Sequence, residues 1–160
     1  MRQKTKYSFG ILSVILFLLL AQTAFSMECN PIQVKASDKC PVCGMFVSKY
    51  TSWIAQIIFN DGSYAVFDGP KDMFRYYLNM SKYNPSKKQP DISAIFVTEY
   101  YSAKLMKANE LFFIHGSDVL GPMGHELIPV TSEQNAKAFL KDHNGKNILK
   151  FSEITLKALK

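Results

Sequence analysis

The segment CPVCGM, residues 40 to 45, places two thiols and one thioether within six positions. In an oxidising compartment, a Cys-x-x-Cys pair can form a structural disulfide, exchange disulfides with other proteins, or ligate a soft metal ion. A third cysteine, Cys29, makes the thiol count odd. It can pair with Cys40 or Cys43, remain free, or add a further ligand. These residues alone leave the three chemistries open.

A second group of soft donors lies in the other half of the chain, in the segment GPMGH. Its methionine stands in a turn-rich stretch where a buried hydrophobic residue is less expected, and a histidine follows. Monovalent copper is a soft ion that prefers thiolate and thioether ligands and accepts an imidazole. The two segments together therefore predict a Cu(I) site, whose candidate ligands are Cys40, Cys43, Met45, Met123 and His125.

Residues 1–26 have the pattern of an export signal. Three basic residues precede the apolar run ILSVILFLLLA, and small residues at Ala24 and Ser26 suit signal peptidase. The apolar run is shorter than the roughly 20 residues that a spanning helix needs. Glu28 stands directly before Cys29, where a lipid-attachment box has a small residue. We therefore expect a cleaved signal peptide and a periplasmic protein, with membrane association left open.

The composition is that of a folded protein and excludes several functions. The 160 residues are 48% hydrophobic and 20% charged, which suits one ordinary domain or two very small ones. Residues 1–26 contain three of the 19 basic residues and none of the 13 acidic ones, so the formal charge falls from +6 to +3 without them. Nucleic-acid binding is not predicted, because there is no basic helix or block of like charge. Nucleotide-binding loops and common hydrolase motifs are also missing from the sequence.

Residues 27–52 hold all three cysteines and show little periodicity, so they are predicted to form an irregular arm. A first structural unit follows in residues 53–100. The runs WIAQIIF and YAVF flank the turn NDGS and predict a β-hairpin. A helix is predicted to begin at Pro70, and ISAIFVTEYY is typical of a third strand. The helix is expected to present one apolar face, made of Met73, Phe74, Tyr77 and Leu78.

Residues 101–160 repeat this order of elements. ELFFIH and HELIPV are predicted strands on either side of a glycine-rich connection. Thr131 or Ser132 can cap the next helix, with Gln134 completing a Thr-x-x-Gln capping box and Gly145 ending the helix. NILKF closes the unit as a strand. The predicted fold class is therefore α+β, with two small homologous ββαβ units packed in tandem after the arm.

Several short motifs, taken in order, resemble the NosL family of accessory proteins for nitrous oxide reductase maturation. They are a Cys-Gly-Met segment, a Trp-x-Ala-Gln strand, an Asn-Asp-Gly turn, a Phe-Asp pair before the first helix and a Gly-Pro-Met-Gly loop. The similarity extends over residues 38–154. It implies two ββαβ units, a topology also seen in the organomercurial lyase MerB. A lyase is not predicted, because no acid in the sequence can be assigned to protonate a carbon–mercury bond.

The resemblance implies a Cu(I) carrier rather than an enzyme, located in the periplasm or at the cell surface. Cys43 and Met45 match the family's Cys-x-Met ligand segment, and Met123 matches its loop methionine, while Cys40 and His125 are additional candidate ligands. The implied partners are apo nitrous oxide reductase and a membrane copper exporter or accessory complex. Family members are usually lipoproteins, and this sequence departs from them at its N-terminus. The alternative function is a periplasmic thiol-disulfide redox protein that uses the Cys-x-x-Cys pair.

Overall fold

The computed structural model of the protein describes residues 29–159. The predicted signal peptide, residues 1–26, therefore lies outside the described residues. Within 29–159, no helix is both long enough and apolar enough to cross a membrane. The predicted α+β class is confirmed, because a few helices pack with antiparallel sheets.

Four antiparallel strands form the first sheet, in the order β2-β1-β3-β4. They are β1 (Ala55–Phe59), β2 (Tyr64–Phe67), β3 (Ile92–Thr98) and β4 (Leu105–Lys107). All five residues of the central strand β1 are buried, as its nearly continuous apolar run predicts. Strand β4 was not predicted, since three residues are too short to show a periodic pattern. It pairs with β3, so this sheet extends beyond the unit boundary predicted at residue 100.

Helices α1 (Pro70–Leu78) and α2 (Met80–Tyr83) connect β2 to β3. The predicted start at Pro70 is confirmed, and Met73 and Phe74 are fully buried. Tyr76 is also buried, although it was not assigned to the apolar face. The reason is that α1 is covered on more than one side. Phe74 packs edge-on against Phe113 at 5.1 Å, whereas Tyr76 packs against Phe67 at 5.2 Å.

The second sheet has three antiparallel strands in the order β8-β5-β9. Its elements are β5 (Phe112–His115), β8 (Ile128–Val130), helix α3 (Glu133–Asp142) and β9 (Asn147–Lys150). A separate short hairpin, β6 (Leu120–Gly121) with β7 (Gly124–His125), lies between β5 and β8. The predicted HELIPV strand is thus divided between β7 and β8. The division occurs at the buried Glu126, whose side chain leaves the sheet to contact α1.

The predicted ends of α3 need two corrections. Ser132 is the N-cap, and its Oγ accepts from the Asn135 amide at 3.0 Å. The Thr131-based capping box is therefore wrong, because the helix begins one residue later than that box requires. At the other end the helix stops at Asp142, and Asn144 takes the left-handed conformation with φ +53°. Gly145 follows that turn, and a Cβ there would lie only 2.7 Å from Ile114.

One hydrophobic core joins the arm, the first sheet, α1 and part of the second sheet. Cys40 and Val47 of the arm are buried in it, together with Phe113 and Leu127 from the second half of the chain. A smaller cluster lies between α3 and the second sheet, around Phe139. The two halves of the chain are therefore packed together through a shared core, as a single small unit would bury too little surface alone.

The arm is irregular as predicted, but it is firmly attached to the first sheet. Residues 29–46 contain only an isolated bridge between Lys39 and Phe46, and a 3-10 helix follows at Val47–Lys49. The Ile32 amide donates to Gln56 Oε1 at 2.9 Å, and Gln56 Nε2 donates to the Ile32 carbonyl at 2.8 Å. Gln56 is fully buried in β1, so the arm supplies the partners that its amide needs.

We predict that Gln56→Met, which keeps the side-chain length but makes neither bond, lowers the free energy of unfolding by about 1–3 kcal/mol. Urea denaturation followed by circular dichroism measures this change. Gln134→Met on the exposed surface of α3 is the control and should change stability by less than about 0.5 kcal/mol. Equal stability of the two variants would show that the bonds to Ile32 do not hold the arm.

Candidate metal centre

The two thiols of the CPVCGM segment lie in a closed loop. The Cys40 amide donates to the Met45 carbonyl at 2.9 Å, and the Gly44 amide donates to the Cys40 carbonyl at 2.9 Å. Gly44 has φ +81°, a conformation that side chains other than glycine rarely adopt. The loop therefore turns back on itself within six residues and brings Cys40 and Cys43 to one side.

Both thiols face carboxylates at the start of α1. The Cys43 thiol donates to Asp68 Oδ1 at 3.1 Å, and the Cys40 thiol donates to Asp72 Oδ2 at 3.6 Å. One potential ligand atom from each of these four residues lies within 4.8 Å of every other. We call this group, Cys40, Cys43, Asp68 and Asp72, the thiol–carboxylate cluster. It combines two soft donors with two hard ones.

Burial keeps both thiols protonated at neutral pH. Cys40 is 1% exposed, and desolvation raises the pKa of its thiol far above the ordinary range. Desolvation also raises the pKa of Cys43 to about 11, with a further increase from the nearby Asp68. Backbone hydrogen bonds to both thiols act in the opposite direction but are outweighed. Neither cysteine is in a disulfide, and the same holds for Cys29.

The two carboxylates of the cluster differ in their partners. Asp72 Oδ1 forms an ion pair with Arg75 Nη1 at 2.9 Å, and Arg75 Nη2 donates to the Leu159 carbonyl at 3.0 Å. Asp68 is fully buried, and its Oδ2 has no hydrogen-bond partner within residues 29–159. A buried carboxylate oxygen without a partner is costly, since charge is removed from water without compensation. The cluster therefore has an unused site for positive charge.

The predicted ligand Met45 lies in the same loop as the thiols. Its side chain is partly buried, and its Sδ accepts a hydrogen bond from the Tyr50 hydroxyl at 3.4 Å. A thioether is a weak acceptor, so this bond is easily exchanged for a bond to a metal ion.

The hairpin β6–β7 carries the other two predicted ligands. Met123 stands at its turn and is 37% exposed, and His125 is an exposed residue of β7. The His125 Nδ1 lies 3.1 Å from the Ser117 carbonyl. A proton on Nδ1 would satisfy that carbonyl and leave Nε2 with a lone pair for ligation. His125 lies outside the thiol–carboxylate cluster.

Glu126 attaches this hairpin to the first turn of α1. Its Oε1 accepts from the Lys71 amide at 2.6 Å and from its neighbouring Leu127 amide at 3.0 Å. Lys71 Nζ also donates to the His125 carbonyl at 2.9 Å. The N-cap residue Gly69 has no side chain that could accept a hydrogen bond from the first amides of the helix. Glu126, from a distant part of the sequence, accepts from the Lys71 amide instead.

Gly69 is required by this attachment for steric reasons. A Cβ at this position would lie 2.4 Å from Glu126 Oε2, much closer than real contacts allow. The segment from Asp68 to Lys71 therefore contacts the cysteine loop through Asp68 and the hairpin through the Lys71 bond to the His125 carbonyl. Gly69 and the Lys71 amide lie against Glu126, the residue directly after the hairpin. The two segments that the sequence predicts to share a site are both attached here.

Three buried acids at this position were not predicted as site residues, namely Asp68, Asp72 and Glu126. Asp68 and Asp72 bracket the helix start in the segment FDGPKD, but acids are favourable at any helix N-terminus because of the helix dipole. Their spacing thus carried no distinct signal. Glu126 gave none, because its role depends on contact with a helix more than 50 residues away.

The buried Glu126 predicts a pH dependence of stability. Desolvation raises its pKa from an ordinary value of 4.5 to about 8, with a further rise from Asp72 and an opposing effect of Lys71. The folded state therefore binds this proton more tightly than the unfolded state. The resulting stabilisation is complete below about pH 4.5 and is lost as the pH rises through about 8. We predict that Glu126→Gln removes this loss. Urea unfolding at several pH values measures it, with exposed Glu110→Gln as the control. A wild-type stability unchanged from pH 5 to 8 would contradict this.

Three comparisons place the chain among known proteins. A family model described as NosL matches residues 31–159. The copper-binding lipoprotein NosL of Stutzerimonas stutzeri is 26% identical over 127 residues, covering 78% of this chain and 66% of the relative, slightly under two thirds of its length. The crystal structure of the copper chaperone NosL from Shewanella denitrificans superposes with a TM-score of 0.65 at 20% identity, covering 80% of this chain and 97% of that one.

The structural likeness shows the fold, and the family model covers most of the chain. The resemblance seen in the short sequence motifs is thereby confirmed. On this evidence, the protein belongs to the NosL family.

Proposed function

We propose that this protein is an exported carrier of copper, which it binds as Cu(I) through Cys43, Met45 and Met123, with Cys40 or His125 as a further ligand. The observation that carries the proposal is the shared attachment of the cysteine loop and the β6–β7 hairpin to residues 68–71. Membership of the NosL family supports it, as do the relatives named for copper binding and for a copper chaperone.

The chemistry of the donor set supports monovalent copper. Thiolate and thioether are soft ligands, and two to four of them satisfy Cu(I). The thioethers of Met45 and Met123 need no deprotonation, whereas the Cys43 thiol must release its proton to the solvent when the ion binds. A mixed set of this kind holds copper less tightly than thiolates alone. Moderate affinity suits a protein that must pass its ion on.

The exposure of the ligands supports transfer to a partner. Met123 stands at an exposed hairpin turn, and Cys43 is only partly buried. A partner's ligand can therefore approach the ion and replace these ligands one at a time. Such a transfer exchanges metal–ligand bonds, and the Cys43 thiolate takes a proton back from the solvent as the ion leaves. No substrate is chemically converted, so the proposed role is that of a carrier and not of an enzyme.

The proposed recipient is apo nitrous oxide reductase, and the proposed donor is a membrane copper exporter or an accessory complex in the periplasm. These partners follow from the family resemblance. The surface beside the cysteine loop offers a contact region, since Phe46 is 40% exposed. Lys39 Nζ lies 4.7 Å and Lys49 Nζ 5.7 Å from the centre of its ring. We expect a partner to meet this basic, aromatic surface with acidic residues around its own copper site.

We also propose that the two sheets arose from one repeated ββαβ unit. The order strand, strand, helix, strand occurs in β1, β2, α1, β3 and again in β5, β8, α3, β9. In each case the first strand is central and pairs with both others. The hairpin β6–β7 would then be an insertion in the second copy that provides ligands.

The state of the thiols favours the carrier over a thiol-disulfide redox protein. Disulfide exchange begins with a thiolate, and redox-active cysteines usually have lowered pKa values. Here burial raises the pKa of both thiols, with Cys43 at about 11. Metal binding overcomes this cost by displacing the protons, whereas exchange at neutral pH would be slow.

The first test is a Cu(I) competition titration of the reduced protein, with native mass spectrometry for the number of ions. We predict one bound ion and a loss of affinity of about tenfold or more in Met123→Leu, by analogy with the loss of other metal-site groups. Leucine is close in size to methionine but cannot ligate. Met106→Leu in β4 is the matched control and should bind copper as the wild type does.

An unchanged affinity in Met123→Leu would remove Met123 from the site. The same titration of Met45→Leu separates the two functions. A copper site loses affinity when a thioether is removed, whereas thiol exchange measured with a small disulfide is unaffected.

Copper affinity should also rise with pH. Because Cys43 is protonated below its pKa of about 11, each thiol that becomes a ligand releases one proton. The affinity is therefore predicted to increase about tenfold per pH unit for each such thiol between about pH 6 and 9. Competition titrations at several pH values give the slope of the logarithm of copper affinity against pH. Cys43→Ser should lower that slope by about one logarithmic unit per pH unit. A slope of zero in the wild type would show that no thiol ligates the ion.

A further inference from the structure

We propose that the outer edge of β2 is a docking groove for an extended, acidic segment of a partner protein, which adds to the four-stranded first sheet as a fifth strand. The groove lies beside the cysteine loop but contains none of the proposed copper ligands. The identity of this partner as the one that exchanges copper rests on the proposed function, whereas the groove itself does not.

The groove runs along the edge of the sheet and not over one of its faces. Its volume is about 260 Å³, and its lining includes the consecutive residues Tyr64, Ala65 and Val66 of β2. Successive side chains of a strand point to opposite faces, so three consecutive residues share a groove only along the edge of their strand. β2 is the outermost strand in the order β2-β1-β3-β4, so its outer side is open to an added strand.

The backbone of β2 directs hydrogen-bonding groups into this groove. The Phe59 amide donates to the Ser63 carbonyl at 2.9 Å, and Ala65 faces β1 two residues further along the antiparallel register. Bonded pairs alternate along an antiparallel ladder, so Tyr64 and Val66 direct their N–H and C=O groups away from β1. Neither residue has a backbone hydrogen bond on that outer side within the described part of the chain. Each therefore offers one donor and one acceptor to an added strand.

Walls on both faces of the sheet favour a narrow occupant. The arm covers one face, where the Tyr64 hydroxyl donates to Asp38 Oδ2 at 3.4 Å. Helix α1 covers the opposite face, where the rings of Tyr76 and Phe67 lie 5.2 Å apart. Tyr83 of α2 stacks on Tyr76 at 5.9 Å, and both line the groove, as does Asp38. A strand lies about 4.8 Å from its neighbour in a sheet, so an extended segment is the narrowest occupant that reaches the free backbone groups.

Lysines around the groove favour an acidic occupant. Lys39 is part of the lining, and Lys35 Nζ and Lys82 Nζ lie over two of the lining tyrosine rings, at 5.9 Å and 5.0 Å from the ring centres. All three lysines are exposed. The acid in the lining, Asp38, already accepts two hydrogen bonds. Two copies of the chain paired edge to edge would bring these lysines together, so charge favours a different, acidic partner.

The groove is continuous with the contact region proposed beside the cysteine loop. Pro41, which stands between Cys40 and Cys43, belongs to its lining. Lys39 borders both surfaces, because its Nζ also lies 4.7 Å from the centre of the Phe46 ring. A segment docked on β2 would therefore hold the rest of its protein against the cysteine loop.

The test is an NMR titration of the reduced, copper-free, isotope-labelled protein with the capped peptide Asp-Val-Thr-Val-Asp. We expect saturable binding with a dissociation constant of about 1 mM or tighter, a weak affinity that suits a few backbone bonds. The amides of Tyr64 and Val66 should shift most. Their hydrogen exchange should slow about tenfold when the peptide concentration is about ten times the dissociation constant. The Ala65 amide, bonded to β1, is the internal control and should exchange slowly with or without peptide.

Three outcomes of this titration would overturn the proposal. The first is the absence of saturable shifts. The second is a set of shifts that leaves the amides of Tyr64 and Val66 unchanged. The third is a shift of these two amides with protein concentration alone, which would identify a second copy of the chain as the occupant.

Two control peptides separate the roles of charge and backbone. Lys-Val-Thr-Val-Lys has the same strand-forming centre with the opposite charge and should bind about tenfold more weakly. The acidic peptide with its three central amides methylated keeps the charge but cannot donate to the strand edge, and its binding should also fall at least about tenfold. Equal affinity of the acidic and basic peptides would refute the acidic preference. Equal affinity of the methylated peptide would refute strand addition.

A charge-reversed variant tests the same preference from the side of the protein. Lys82→Glu should weaken binding of the acidic peptide by about threefold or more. Lys104→Glu, in the turn before β4 at the opposite edge of the sheet, is the matched control and should bind as the wild type does. Circular dichroism checks folding, and Lys35→Glu in the arm decides where Lys82→Glu does not fold. Unchanged affinity in the folded variant would refute the acidic preference.

Copper titrations distinguish failure of the groove from failure of the proposed function. The peptide titrations need no copper, and Met123→Leu should leave the affinity for the acidic peptide unchanged, because Met123 is not part of the groove. Peptide binding at β2 without any Cu(I) binding would refute only the copper carrier. Cu(I) binding without peptide binding would refute only the groove.

Discussion

The unsatisfied amides at the start of α1 are the constraint around which the site is organised. A helix begins with several N–H groups that have no partner within the helix, and here the N-cap is a glycine without a side chain. Glu126 meets this need from another sheet, and its approach is possible only because Gly69 leaves space. The β6–β7 hairpin, which directly precedes Glu126, is held in place by this contact. A local requirement of one helix thus determines the position of a distant loop.

Charge is the second constraint on this part of the molecule. Asp68, Asp72 and Glu126 are all buried near the helix start. Arg75 forms an ion pair with Asp72. Lys71 donates its backbone amide to Glu126, and its positive charge lowers the pKa of that carboxyl. The protein limits the resulting repulsion by keeping the neighbouring thiols neutral. An arriving metal ion would supply positive charge and release thiol protons in the same step. Loading of the proposed copper ion is therefore coupled to proton release, and the metal-free protein is held in a form that favours acceptance of a cation.

The sequence predicts those features that depend on local patterns. The apolar run around Ile57 and the helix start at Pro70 are both present in the structure. The helix cap at Ser132 was one of two adjacent possibilities, and only the hydrogen bond decided between them. Strand β4 and Glu126 were missed because their roles depend on pairing and contact with residues that are distant in sequence. Asp68 and Asp72 were not predicted to lie beside the thiols, because acidic residues are favourable near any helix start.

The bond from Arg75 to the Leu159 carbonyl links the site to the last described residue of the chain. The guanidinium is shared between this carbonyl and Asp72, so the carboxylate is oriented through the C-terminal segment as well as through α1. Leu159 is itself buried in the main core. The C-terminal segment therefore belongs to the site's supporting structure. Shortening it, or attaching a purification tag directly to it, would disturb Asp72, the carboxylate beside the Cys40 thiol, more than 80 residues away, whereas a tag on the other terminus would avoid this contact.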